Sequence, residues 1–307
     1  MFRLNRKQRA PLHIAILSFN RPHYLGEVLS SLVPQLSRKD KVYLFQDGGW
    51  NPHSGTQKAP SSVIEECFRV FSKTIPQGGI FASPVNLGCA GNFRRVEDYI
   101  FGELQAPHAV MLEDDMILSK DYLDVLEQLL QIALVKPSIG YVTAYGDFWA
   151  SLEEQKNNEG QLRAMHENWG CAMTRASWLQ QKPIREQYWK FVENCDYTLR
   201  DHDAIRKFHA DLGYKISISG QDGSRWVACA EAKLARVTTK TCHARYIGRI
   251  GIHSDADQYD KYKFKDSVWY PHCPKINPPS DSEIEGWINQ EKEKLLNGYR
   301  HAYTIDA

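Results

Sequence analysis

The sequence predicts an α/β protein: a mixed, mostly parallel sheet sandwiched by helices in a single large domain. Three observations predict it. Short apolar runs recur along the first half of the chain, each ending in a polar or glycine-bearing segment, as buried strands do. Between them stand longer segments whose apolar residues repeat every three to four positions, as in helices with one buried face. Regular alternation of the two calls for parallel pairing, because each helix carries the chain back across the sheet.

Leu12 to Phe19 is the first strand. Asn20-Arg21-Pro22 breaks it, and Pro22 suits the first turn of a helix. Leu25, Val28, Leu29, Leu32 and Leu36 follow at helical spacing over 22–36. Lys41 to Gln46 is the second strand, closed by the tight turn Asp47-Gly48-Gly49. Residues 50–60 read as loop, and Val63, Ile64, Cys67, Phe68 and Phe71 mark a second helix. Gly79 to Ala82 is a short third strand. Residues 83–95 form a glycine-bearing loop feeding a helix, with Arg94 and Arg95 on its first turns. His108 to Leu112 is the fourth strand, followed by Glu113-Asp114-Asp115. Ser119 is the expected N-cap of a helix carrying Tyr122, Val125, Leu126, Leu129, Leu130 and Ala133, which Pro137 closes. Ile139 to Ala144 is the fifth strand.

The second half is less regular. Residues 145–168 read as a polar, irregular loop with Asn157 to Gly160 at its tip, the kind of excursion that often serves as a lid. A short helix is expected to about Gln181, and a charged helical stretch over 186–211. Lys215 to Ser219 reads as a strand, 221–224 as a turn, 226–234 as a helical face and Ala235 to Thr238 as a strand. Near the end, Ser280 and Glu283 form a capping box for an amphipathic helix with Ile284, Trp287, Ile288 and Leu295. The division expected is a basic arm over 1–10, a catalytic body over 11–255 with halves at 11–145 and 146–255, and an extension over 256–307.

The net charge of +1 gives no electrostatic reason to expect nucleic acid as a partner. No apolar run is long enough to span a bilayer, and no export signal opens the chain. The basic arm could make a weak peripheral contact with anionic lipid. Seven scattered cysteines with no C-x-x-C pair point to reduced thiols, hence a cytoplasmic setting, and away from cysteine-bound zinc.

Three adjacent carboxylates at a strand end cannot be core; they must be solvated, hydrogen-bonded or neutralised by a cation. Clustered oxygens suit a hard divalent ion, Mn²⁺ or Mg²⁺, shared with substrate phosphates. The plain alternative is an acidic loop between strand and helix. Open α/β sheets bind ligands at the carboxyl ends of their strands, which favours the ion. The loop at Asn86, Gly88 and Arg94 offers backbone N–H groups, a helix N-terminus and a guanidinium to phosphate. Asp47, in a tight turn, can hold a ribose or base, or simply make the turn.

The order of these pieces resembles the GT-A fold of nucleotide-sugar glycosyltransferases, most in the style of the N-acetylglucosaminyltransferase I group. Four segments carry the resemblance over roughly residues 12–254. Ile14 to Pro22 resembles that family's first strand and the turn over the uracil. Asn86-Leu87-Gly88 with Gly91-Asn92 and Arg94 resembles its N-x-G…G-N-x-x-R segment. Glu113-Asp114-Asp115 resembles the E-D-D version of its metal motif. Gly248…Gly251-Ile252-His253 resembles its terminal glycine and histidine element.

The resemblance implies transfer of a hexosyl or N-acetylhexosaminyl group from a nucleotide diphosphate donor, UDP-sugar favoured, to a hydroxyl of a glycan or glycolipid. It implies Asp115 and His253 on the metal, Asp114 on the ribose or in support, and Glu113 turned the other way. Ser18, Asn20, Arg21 and Asp47 would face the nucleotide. An acceptor hydroxyl needs a carboxylate base opposite the leaving diphosphate. Asp222 is the expected base, its alternative being a helix N-cap, with Glu231, Asp147 and Asp203 in reserve. Trp149 and Trp169 are candidates to stack on acceptor sugar, whereas Trp226 lies on an apolar face. The rival readings are a sugar-phosphate nucleotidyltransferase, a noncatalytic nucleotide-sugar-binding module and a retaining transferase of the same fold.

Overall fold

The computed structural model describes residues 10–251 and 255–298. The basic residues Arg3 to Arg9 of the expected arm, and His253, lie outside them. The first half runs β1 (His13–Ser18), α1 (Pro22–Leu32), β2 (Lys41–Gln46), the small hairpin β3 (Trp50–Asn51) and β4 (Thr56–Gln57), α2 (Ser61–Thr74), β5 (Gly79–Ala82), α3 (Gly88–Glu97), β6 (His108–Glu113), β7 (Met116–Leu118), α4 (Tyr122–Val135) and β8 (Ile139–Thr143). The second runs α5 (Leu152–Asn157), β9 (Leu162–Ala164), β10 (Cys171–Thr174), α6 (Arg175–Val192), α7 (His202–Asp211), α8 (Gln221–Glu231), β11 (Ala235–Thr239), β12 (Ala244–Tyr246), α9 (Ala256–Lys261) and α10 (Asp281–Leu296).

Eight strands form the central sheet in the order β5-β2-β1-β6-β10-β8-β11-β9. Six run one way; β10 and β9 run against their neighbours. The expected mixed, mostly parallel sheet in one domain is found. Alternate residues of its strands feed two cores. Ile14, Ile16, Leu44, Val110 and Leu112 pack under α1, α2 and α4; Ala15, Leu17, Phe45, Ala109 and Met111 pack with Phe93 and Val96 of α3, Trp178 of α6 and Cys229 of α8. Strands covered on both faces need apolar residues at every position, which is why they read as unbroken runs.

Several second-half expectations are corrected. The stretch 145–168 is not an irregular loop: Ser151 and Glu154 make a capping box for α5, and β9 extends the sheet against β11. The helix expected to stop near Gln181 continues to Val192 with Pro183 inside it. Residues 215–219 form no strand; Ile216 packs with Tyr214, Trp226 and Leu295, and the Lys215 N–H bonds the Leu295 carbonyl. Helix α4 starts from Asp121, not Ser119. The capping box at Ser280 is present, and α10 lies against β9 and β11. Among the described residues no helix is long and apolar enough to cross a membrane.

Candidate active site at the carboxyl edge of the sheet

Strand register aligns the site. Leu17 of β1 stands opposite Glu113 of β6, Ser18 opposite Gln46 of β2, and Gln46 opposite Ala82 of β5. The carboxyl ends of four parallel strands thus come level, and the loops that follow them emerge side by side. β10 runs antiparallel to β6, with Ala172 opposite Val110, so Asn168-Trp169-Gly170 arrive at the same edge from the other direction.

Asp114 and Asp115 form the turn between β6 and β7, and both are buried. Asp114 accepts hydrogen bonds from the Phe19 N–H at 3.3 Å and from Arg21 Nη2 at 2.5 Å. Arg21 Nη1 stands 2.7 Å from Asp115 Oδ2. One guanidinium therefore bridges both carboxylates. Burial alone would lower the Arg21 pKa, but the two anions hold it above its ordinary value. Burial pushes the Asp115 carboxyl up to about 6, with Arg21 opposing and Asp114 adding to the rise. The loop after β12 lies over this turn: the Ile247 N–H bonds the Asp115 carbonyl at 2.8 Å. A Cβ on Gly248 would stand 2.6 Å from Asp115 Oδ2 and overlap the Tyr246 hydroxyl, so a side chain at 248 would crowd the oxygen that Arg21 already meets.

Glu113 belongs to a second cluster with Asp222 and Arg225. Burial drives its carboxyl well above the usual range, and Asp115 and Asp222 raise it further. Asp222 is half-buried in the first turn of α8. It is not the N-cap, which is Gly220; its Oδ1 instead accepts from Asn168 Nδ2 at 3.0 Å. Arg225, fully buried three residues on, sits 4.0 Å from the Phe93 ring and donates to Glu97 at 3.2 Å, a carboxylate that also pairs with Arg185. Sequence reading overlooked Arg225 and Asn168; the one available signal was an arginine beside Trp226 on an otherwise apolar helical face.

The other expected residues divide. Asp47 is buried and faces inward, accepting from the Leu87, Gly88 and Gly48 N–H groups and from Asn86 Nδ2. It shapes the loop before α3, and Gly88 enters that helix at φ +71°, where a side chain would be strained. Burial lifts the Asp47 carboxyl to about 6 against those hydrogen bonds. Asn86 is held in the same network. Arg94 is not brought to the turn: it lies over Trp189 and pairs with Asp98, Glu186 and Glu193. Ser18 is buried at the end of β1, and Asn20 is exposed beside it.

Trp169 stacks on Tyr246 at 4.7 Å, next to Asp115, making an aromatic wall with Tyr145 and Phe264. Trp149 is exposed at the rim of that cluster, with its indole N–H on the Tyr262 carbonyl. Trp226 is core. Of the reserve carboxylates, Glu231 takes the Tyr214 hydroxyl, Asp147 pairs with Arg163 and Asp203 with Arg206. All seven cysteines are free thiols.

No family model and no curated protein matches the chain. Among solved structures it is similar to S. aureus TarS, at 10% identity and a TM-score of 0.39, over 73% of this chain and 43% of that one. It therefore spans less than half the length of TarS. It is similar to the glycosyltransferase GlyE of Streptococcus pneumoniae TIGR4, at 13% identity and 0.40, over 96% and 66%. It is also similar to the galactosyltransferase LgtC in complex with donor and acceptor sugar analogues, at 10% identity and 0.33, over 74% and 86%. At these TM-scores the likeness assigns neither substrate nor mechanism to this chain.

Proposed function

We propose that the protein is a metal-dependent inverting glycosyltransferase of the GT-A kind, taking a sugar from a nucleotide diphosphate donor, UDP-sugar favoured, to a hydroxyl of a glycan or glycoconjugate. One observation carries the reading. Asn168, which the pairing of β10 with β6 brings to the acidic turn, is hydrogen-bonded at 3.0 Å to Asp222, so the turn and a half-buried carboxylate from a remote helix share one strand edge. That is the pairing this reaction asks for: a cation-holding group and a base on one substrate.

The donor set fits a hard divalent ion. Such ions commonly take one or two carboxylates and complete their shell with water and substrate phosphate. Among the described residues no three His, Cys, Asp or Glu side chains form a closed cage. Arg21 pairs with both carboxylates and stands on Asp115 Oδ2, so an ion would have to share that carboxylate with the guanidinium or displace it, and Gly248 leaves it room on its own side. Asp115 would hold the ion, with Asp114 keeping Arg21 in place. Bound Mn²⁺ or Mg²⁺ would neutralise the diphosphate as it departs.

The chain's own residues do the rest. Asp222 accepts the proton of the acceptor hydroxyl as its oxygen bonds the anomeric carbon; the bond to the diphosphate breaks, and its electron pair leaves with the phosphate. The Trp169–Tyr246 wall supplies an apolar surface for a sugar ring beside the turn.

The test is calorimetry of UDP with Mn²⁺ and with chelator, followed by turnover of a nucleotide-sugar panel. UDP binding is expected to need the ion, Asp115→Ala to abolish that dependence, and Asp222→Asn to bind donor while losing turnover roughly 10²- to 10⁴-fold. Equal UDP affinity in chelator removes the metal role. Near-normal turnover in Asp222→Asn removes the base.

A further inference from the structure

We infer that Asn168, held by Arg236 and Glu291, is a positioning residue for the Asp222 carboxylate. The inference rests on the reading of Asp222 as the base. Three hydrogen-bonded links lead from α10 to that carboxylate. Arg236 of β11 donates through Nε to Glu291 Oε2 at 3.0 Å and through Nη2 to Glu291 Oε1. Its Nη1 donates to Asn168 Oδ1 at 2.7 Å. Asn168 Nδ2 donates to Asp222 Oδ1 at 3.0 Å.

The chemistry of each group leaves one arrangement. A guanidinium only donates, so the Asn168 atom that meets Arg236 must be the amide oxygen. The amide NH₂ then has to face Asp222, where a carboxylate accepts it. Asn168 is 5% exposed and Arg236 2% exposed, so neither has room to turn, and the Trp226 ring lies 4.6 Å from the Arg236 guanidinium. Asp222 Oδ1 is thereby fixed, and the carboxylate rotates no further about its terminal bond. Its Oδ2 takes no hydrogen bond among the described residues and is the oxygen that meets the acceptor. A base must sit within hydrogen-bond reach of the proton it takes, and errors of an ångström cost rate. The C-terminal helix, remote in sequence from every other group at the edge, thus sets the aim of the proposed base.

The discriminating variant is Asn168→Asp. It is isosteric and keeps an acceptor for Arg236, but it sets a second carboxylate against Asp222 where an N–H stood, so it also raises the pH at which the pair ionises, and kcat is therefore read across a pH profile up to the alkaline plateau. Asn168→Ala removes both contacts. Both variants are made in the full chain and checked for an unchanged melting profile. Expected in both is a fall in kcat of at least tenfold with KM for the donor and UDP affinity unchanged. In the Asp222→Asn background, Asn168→Ala is expected to cost less than twofold more, because a residue acting through Asp222 has nothing left to act on. Equal kcat in Asn168→Asp and the parent overturns the inference, as does full additivity of the two losses. If Asp222→Asn itself turns over normally, it is the base assignment that fails. A folded Asn168→Asp with normal kcat, beside an inactive Asp222→Asn, fails the positioning role alone.

Discussion

Replacing Gly248 with alanine tests whether clearance over Asp115 serves donor binding. The new Cβ would stand 2.6 Å from Asp115 Oδ2 and overlap the Tyr246 hydroxyl. Neither neighbour yields cheaply. The Tyr246 ring is stacked on Trp169 with an interplanar angle of 12°, and the Asp115 oxygen is held 2.7 Å from Arg21. Overpacking of this kind costs about 1–3 kcal/mol. In the free protein much of it can be relieved by shifting the 247–251 loop, whose Ile250 is 71% exposed, so the melting temperature should barely change. On the proposed reading, binding a nucleotide diphosphate with Mn²⁺ would ask Asp115 to return, and the cost would then appear as UDP affinity weakened by about 5- to 150-fold. Calorimetry with Mn²⁺ reads this directly. Gly251→Ala is the control, since among the described residues its Cβ would meet only Arg21 Nη1, at 3.4 Å. UDP affinity equal to that of the parent in Gly248→Ala, or an equal loss in both variants, would refute the reasoning.

Other perturbations report on the frame. Leu112→Ala empties a fully buried position one residue before the triplet and should cost about 2–5 kcal/mol in urea unfolding; a loss under 1 kcal/mol would mean that β6 is less tightly packed than its burial indicates. Gly286 lies inside α10 with open space around its Cβ position, so Gly286→Ala should stabilise by about 0.5–1 kcal/mol, and a lower melting temperature would contradict that geometry. His209 and His243 are fully buried, and burial lowers their pKa values to about 4 and about 3. Below pH 6.5 the unfolded chain binds protons that the folded chain refuses. Stability is therefore intact above that pH and is lost as pH falls toward the folded values, at about 1.4 kcal/mol per pH unit for each histidine. His209→Gln should remove one of the two contributions between pH 6 and pH 4; an unfolding free energy that stays flat with pH in the parent would refute this.

Four of the first five sheet strands of the alternating half, β1, β2, β6 and β8, were legible because they are largely buried on both faces and read as apolar runs, whereas β5, a half-exposed edge strand, showed only as the short run Gly79 to Ala82. β9 was not, because Leu162-Arg163-Ala164 is a half-buried edge strand only three residues long. Lys215 to Ser219 alternates as a strand does, yet its apolar residues fill a gap between helices and its backbone has no sheet partner among the described residues. The length of α6 was hidden by Pro183 and by polar residues, Gln181 and Arg185, that are buried rather than solvated. At the site, three adjacent carboxylates announced themselves because an apolar core cannot hold them without a neutralising partner. Their partner Arg21 could not be read, since that pairing depends on the register of β1 against β6. Arg94 misled for the opposite reason: a helix's first arginine suits phosphate, but here the acidic face of α6 claims it.

The Arg236–Glu291 pair also bears on the order in which the chain matures at the ribosome. Arg236 sits on β11, one strand in from the edge of the sheet and almost wholly out of water, and its carboxylate partner is supplied by α10. Until Glu291 has been synthesised and has emerged, β11 would have to bury an uncompensated guanidinium, a penalty of several kcal/mol. The β8 side of the sheet therefore has reason to stay open during synthesis while the β5-β2-β1-β6 side, complete by residue 113, closes first. Pulse proteolysis of stalled nascent chains ending before and after Glu291 would reveal that late closure.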